Sequence, residues 1–156
     1  MRATGKGLVA LVVLSVVALG AQRSHAKCDA TGADAADVAA ARAAIAANCD
    51  CDGAANHGTY VRCASDQAKA TLVNRSCRGT VVRCAAKSTC GKPGFVTCCR
   101  TKASGETKCT TKSSAARCRA PKGGSACVGN VSSCCDACTA TGCAPSPSGA
   151  FLDRPF

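Results

Sequence analysis

The chain has 156 residues, 16 of them cysteine, and 20 Lys and Arg set against 9 Asp and Glu give it a formal net charge of +11. Aromatic residues are 3 % and tryptophan is absent, which leaves almost nothing to stack on nucleic-acid bases. Hydrophobic residues make up 47 %, but alanine and cysteine supply most of that, so a large conventional core is excluded.

The N-terminus reads as a secretory signal peptide. Arg2 and Lys6 precede an apolar run from Leu8 to Gly20, and "AQRSHA" ends with small residues at Ser24 and Ala26. The run falls short of the roughly 20 residues a membrane span needs. Lys27 stands before Cys28, where a bacterial lipoprotein signal requires a small residue. Cleavage after Ala26 places the mature chain outside the cytoplasm, extracellular or periplasmic. It carries every cysteine into an oxidising compartment, where such a density marks a disulfide scaffold.

Residues 27–82 are expected to be helical and disulfide-stapled. Asp34 is placed to cap "AADVAAARAAIAAN", with Asp37 three positions on and Val38, Ala41 and Ile45 as a narrow apolar stripe. After the turn-rich "CDCDGAANHG", Thr59 is expected to cap a second helix reaching about Val73, with Tyr60, Cys63, Gln67 and Ala70 on one side.

Residues 83–116 read as a cysteine-rich β unit. "FVTCCRTKASGETKCTTK" is two strand-like runs around "ASGE". Pairing Lys102 with Thr107 sets Arg100 opposite Cys109. Cys98 and Cys109 then share a face, Cys99 takes the other, and the basic residues divide between both. A quasi-repeat links "RCAAKSTCGKPGFVTCC" (83–99) with "RCRAPKGGSACVGNVSSCC" (117–135), as in related small units with loop insertions. Residues 144–156 are Pro- and Ser-rich and read as a disordered tail.

Between 117 and 143 the spacing is Cys118-x8-Cys127-x6-Cys134-Cys135-x2-Cys138-x4-Cys143. With "GGSAC" before its second cysteine, it resembles the inhibitor cystine knot, or knottin, family of small secreted toxins and inhibitors. The resemblance implies pairs 118–135, 127–138 and 134–143; an unthreaded unit would use the same six cysteines. Ten then remain: Cys28, Cys49, Cys51, Cys63 and Cys77 in the helical region, and Cys84, Cys90, Cys98, Cys99 and Cys109 in the middle unit. Each set is odd, so full pairing needs at least one bridge between them; their order stays open. More broadly, "CDC", "NHGTYVRC", "STCGKPGFVTCCR", "APKGGSACVG" and "SSCCDAC" are similar to stretches of uncharacterised secreted cysteine-rich proteins of bacteria. That likeness implies compartment and architecture and no activity. The expected fold class is therefore small and disulfide-rich: an α-helical N-terminal half, then two short cysteine-rich β units, the second knottin-like.

Cys-x-Cys at 49–51, the two Cys-Cys pairs and Cys-x2-Cys at 135–138 would also suit thiolate metal ligands. Secretion favours disulfides, and no metal or cofactor is expected. His57 is the sole histidine after the signal peptide. It is the one candidate general base, with Asp50, Asp52 or Asp66 to orient it and a serine or Tyr60 nearby. A loop histidine bonded to its own turn is the plainer reading. "SSCCDAC" has Asp136 beside a Cys-Cys pair, as secreted phospholipases do, but no histidine, and no P-loop or dinucleotide fingerprint occurs. A non-enzymatic protein is expected, with a small secreted hydrolase using His57 as the alternative.

Charge is uneven. Residues 27–66 hold three basic and six acidic side chains, whereas 67–135 hold thirteen basic ones against Glu106 alone. Arg100, Lys102, Lys108, Lys112, Arg117, Arg119 and Lys122 are the candidate binding residues. The expected partner is an anionic surface (membrane phospholipid, lipopolysaccharide or acidic polysaccharide) or an extracellular protein, engaged by a monomer. An inhibitor or toxin-like role, through the loops between Cys118 and Cys143, is the alternative within that class. Asn74-Arg-Ser and Asn130-Val-Ser are glycosylation sequons where a host uses them.

Overall fold

The structure, a computed structural model, describes residues 27–145. The expected signal peptide at 1–26, and the expected tail from residue 146 onward, lie outside the described residues. Helices occupy the first half and small antiparallel sheets the second. Among the described residues no helix is long and apolar enough to cross a membrane.

Helix α1 (Ala35–Asn48) buries Val38, Ala41 and Ile45, the stripe its sequence predicts. Its start differs in how the acids are used. Asp34 holds the cap position with its backbone carbonyl accepting from the Val38 N–H at 2.9 Å but with no side-chain bond to the helix; its carboxylate accepts instead from the Asp29 N–H at 2.8 Å and Asn74 Nδ2 at 2.9 Å. Asp37 accepts from the backbone N–H groups of Val73 and Asn74. Both carboxylates thus sit at the positive end of α1 but take donors from a neighbouring turn, tying the exit of the second helix to the entry of the first.

Helix α2 (His57–Thr71) begins two residues before the expected Thr59. Asn56 is the cap, its Oδ1 accepting from the Thr59 N–H at 3.0 Å. Asn is at least as good a cap as Thr, so the earlier residue wins. The buried side turns with the start: Ala64 and Ala68 are buried, Tyr60, Cys63 and Gln67 are half-buried, and Ala70 is exposed. A short 3-10 turn at Arg75–Cys77 leads into α3 (Arg78–Ala86), which runs past the expected boundary at residue 82.

The three helices share one core in which Ala41, Ala64, Ala68 and Ala85 pack with Val38, Ile45, Leu72 and Val81. Alanines let helices approach closely but bury little area each. Two disulfides cross this core: Cys28–Cys77 ties the chain before α1 to the start of α3, and Cys49–Cys63 ties the end of α1 to α2.

Strands β1 (Val96–Thr101), β2 (Thr107–Lys112) and β3 (Ser125–Val128) form an antiparallel sheet in the order β2-β1-β3. Helix α4 (Cys134–Ala137) and the two-stranded β4 (Cys138–Thr139) with β5 (Gly142–Cys143) follow. The hairpin register is one residue from expectation: Thr101 faces Thr107, Arg100 faces Lys108 and Cys99 faces Cys109. The loop explains it. Gly105 has φ 83° and its N–H bonds the Lys102 carbonyl, while the Lys102 N–H bonds the Glu106 carbonyl. A glycine in the left-handed region closes a three-residue loop, Ala103–Gly105, rather than four residues. Cys99 and Cys109 therefore share a face, and Cys98 takes the other, correcting the expected Cys98/Cys109 grouping.

All sixteen cysteines are paired, in eight disulfides. The pairs implied by the knottin resemblance do not form. Cys118 bonds Cys98, Cys135 bonds Cys84, Cys138 bonds Cys99, Cys134 bonds Cys109, and Cys127 bonds Cys143. The physical reason is that β3 is not part of a separate unit; it lies against β1, so segments 83–116 and 117–143 share one sheet and four bridges. Adjacent cysteines do diverge: Cys98 and Cys99 leave opposite faces of β1, and Cys134 points to the sheet while Cys135 reaches α3. The quasi-repeat is not a structural one, because its first Cys-Cys pair is on a strand and its second on a helical turn. The helical region is joined to the middle segment by Cys51–Cys90.

Candidate functional site

The observed register changes the electrostatics of the sheet. Arg100 and Lys108 are direct partners, and Lys112 lies two steps of period 2 from Lys108, so all three share one face. Beyond β2 the chain must pass from one edge of the sheet to the other to enter β3, and the Cys98–Cys118 bond fixes that crossing on the Arg100 face. The crossing carries Arg117, Arg119 and Lys122, all exposed. The division of basic residues between two faces, expected from the slipped register, is thereby corrected.

Neutralisation on this face is uneven. At the hairpin tip Glu106 pairs with Lys102 at 2.6 Å and with Lys108 at 3.2 Å. Among the described residues Arg100, Lys112, Arg117, Arg119 and Lys122 have no carboxylate within salt-bridge distance. Arg100 is half-buried, and its Nε is buried without a hydrogen-bond partner. Lys92 is drawn inward instead: its Nζ donates to the Ser88 carbonyl at 3.2 Å, and burial lowers its pKa.

The hydrogen bond from Lys102, then that from Lys108, holds the Glu106 carboxyl below the usual glutamate value, and the same partner raises Lys102. For a carboxylate with a depressed folded value, the stabilisation is present above the unfolded value and is lost as pH falls through the folded one. An NMR titration of the Glu106 carboxyl is expected to place its midpoint below the ordinary value of about 4.3. The midpoint should return to that range in a Lys102→Ala, Lys108→Ala double variant. An unchanged midpoint would mean these contacts do not persist in solution.

The His57 ring lies between two backbone carbonyls. Its Nδ1 lies 2.9 Å from the Cys90 carbonyl oxygen and its Nε2 3.1 Å from the Ala86 carbonyl oxygen. The ring thus links the first turn of α2 to the end of α3 and to the Cys51–Cys90 bridge. Asp50 accepts from the N–H groups of Asp52 and Gly53 in its own loop, and neither Asp52 nor Asp66 is hydrogen-bonded to His57. Tyr60, three residues further along α2, is half-buried, and burial raises its pKa.

Tyr60 instead lines a cleft of about 360 Å³ between the helices and the segment entering α4, with Ile45, Val81 and Ala85 as its apolar wall. Arg42 and Asp136 form an ion pair at this cleft, and the Cys84–Cys135 bridge lies beside it. Nothing in the sequence connects Arg42 with Asp136; they meet because Cys135 is bonded to α3. Of the sequons, Asn74 has its Nδ2 engaged with Asp34, whereas Asn130 is exposed.

Comparison with protein-family models finds no match, and none is found among curated proteins or solved structures.

Proposed function

We propose that the protein is a secreted, disulfide-stapled, monomeric binding module without catalytic activity, whose cationic sheet face engages an anionic extracellular surface. The observation that carries this reading is the gathering of Arg100, Lys112, Arg117, Arg119 and Lys122 on one side of the sheet without carboxylate partners among the described residues. Such a face attracts phosphate, sulfate or carboxylate groups at a distance and weakens with salt. Among the described residues the exposed large apolar ones are Val73, Phe95 and Val128, and of these Val128 alone belongs to this face. Contact with headgroups or acidic polysaccharide fits that composition better than insertion into a bilayer. Eight disulfides suit an extracellular life, and the reading needs no cofactor.

The competing readings have less support. An inhibitor or toxin of the knottin kind rests on a pairing that this fold replaces. A hydrolase using His57 needs a ring nitrogen aimed at a substrate or nucleophile, and both nitrogens are directed at backbone carbonyls.

The test is binding to a sulfated polysaccharide and to vesicles rich in anionic lipid, at two salt concentrations. Changing Lys112, Arg117 and Arg119 together to Glu is expected to weaken binding by about a hundredfold or more at low salt, since each basic residue near an anionic surface is worth about 1 kcal/mol. Changing Lys69, Arg75 and Arg78 on the helical half to Glu serves as the control and should have a much smaller effect. Equal losses in both variants, or binding unmoved by salt, would overturn the assignment of the face.

A further inference from the structure

Cys109, Cys99 and Cys127 stand side by side across β2, β1 and β3 as direct register partners. Their bridges run to Cys134, Cys138 and Cys143 of the C-terminal segment, so three disulfides form a row beneath the face opposite Arg100. The sulfurs of Cys99, Cys109 and Cys138 lie within 4.8 Å of one another, and so do those of Cys99, Cys127 and Cys143. The central bridge, Cys99–Cys138, is therefore close to both neighbours. Among the described residues no other three cysteine sulfurs come so near.

We propose that this row is a thiol–disulfide exchange centre, in which an external dithiol that opens Cys127–Cys143 starts a relay through Cys99 and Cys138 to Cys134. Within the row, entry at that end follows from exposure. Cys127 and Cys143 are both half-exposed, whereas each of the other two bridges has a buried half, Cys99 at 0 % and Cys134 at 8 % exposure. The dithiol gives up two electrons and closes to its own disulfide; Cys127 and Cys143 take the two electrons and two protons.

The Cys127 thiolate then attacks the Cys99 sulfur. A Cys99–Cys127 bond forms, Cys99–Cys138 breaks, and Cys138 leaves as a thiolate that takes up the proton Cys127 lost. Direct cross-strand neighbours have Cα atoms about 4.5–5.5 Å apart, within the range a disulfide spans. Cys138 is itself within 4.8 Å of the Cys109 sulfur. Its attack forms Cys109–Cys138 and releases Cys134. These two exchanges move no net electrons. They carry a thiol from the open end of the row to its buried end, and a thiolate held beside its target outcompetes an external thiol by its effective concentration.

The experiment uses the oxidised protein with one equivalent of dithiothreitol, quenched at successive times with acid and excess N-ethylmaleimide, then digested and mapped by mass. The expected product carries label on Cys143 together with Cys138 or Cys134, and a new Cys99–Cys127 linkage that accumulates with time. Migration should run roughly tenfold faster at pH 8 than at pH 7, because the attacking species is the thiolate. Label confined to Cys127 and Cys143 at all times, or first appearing outside the row, would overturn the relay.

Discussion

Replacing Cys84 and Cys135 together by alanine is expected to lower the free energy of unfolding by about 2–4 kcal/mol. This bridge joins α3 to α4 and so fastens the helical layer to the sheet layer. Its ends are 51 residues apart, but the loop it closes is shorter. With Cys99–Cys138 in place, the free path runs from Cys84 to Cys99 and back from Cys138 to Cys135. The chain-entropy gain for a loop of that size falls in the middle of the usual range rather than at its upper end. What remains between the layers includes the Cys51–Cys90 bridge with the Gly91 N–H bond to the Cys51 carbonyl and the His57 contact with the Cys90 carbonyl, the Arg42–Asp136 ion pair, half-exposed on both sides, and the backbone bonds from Thr89 to Ser132 and from Cys134 to Lys87. An exposed ion pair contributes little, so it cannot replace the bridge. Guanidinium unfolding should show a lower midpoint and a steeper dependence on denaturant, because the unfolded chain, with one cross-link fewer, exposes more surface. A loss below about 1 kcal/mol would mean that packing, and not this bridge, holds the layers together.

The first helix and the stapled character were legible in the sequence because they rest on residue identity. Alanine-rich helical spacing fixes the Val38–Ala41–Ile45 stripe whatever packs against it. The need for a bridge between the helical region and the middle segment was met by Cys51–Cys90, although the premise behind it, six C-terminal cysteines pairing among themselves, did not hold. Pairing itself was not legible, since a cysteine's identity says nothing of its direction. Direction in this sheet depends on the loop at Gly105: one residue more or less in the turn flips every side chain of β2. The same residue decides whether Arg100 and Lys108 face together or apart, so the cationic composition was readable and the cationic face was not. The cleft was hidden for a related reason, because Arg42 and Asp136 are neighbours through a disulfide that spacing could not assign.

Changing Gly91 to Ala is expected to cost at least about 3 kcal/mol, well above the same change at Gly105. Both glycines have positive φ, 65° and 83°, so an added side chain pays the left-handed penalty of about 1–2 kcal/mol at each. They differ in what a Cβ would meet. At Gly105 nothing lies within 4 Å, whereas at Gly91 the Cβ would fall 2.5 Å from the Asn56 carbonyl carbon and 2.6 Å from both the Asn56 oxygen and the His57 nitrogen. Those are backbone atoms at the capped start of α2, and they cannot yield as a side-chain tip would. Gly91 is also held in place from its own side, its N–H bonded to the Cys51 carbonyl at 3.0 Å and its neighbour Cys90 bridged to Cys51. The clash therefore has to be relieved by moving the start of α2 away from the loop that Cys51–Cys90 fastens. That movement would also pull the His57 ring from the Cys90 carbonyl it now meets at 2.9 Å. Comparing the unfolding midpoints of Gly91→Ala and Gly105→Ala removes the shared dihedral cost and leaves the close approach alone. Equal midpoints would mean that α2 and this loop are not packed backbone to backbone. A large gap, with exchange of the α2 amides accelerated in Gly91→Ala and unchanged in Gly105→Ala, would place the joint between the helical and sheet layers at this contact.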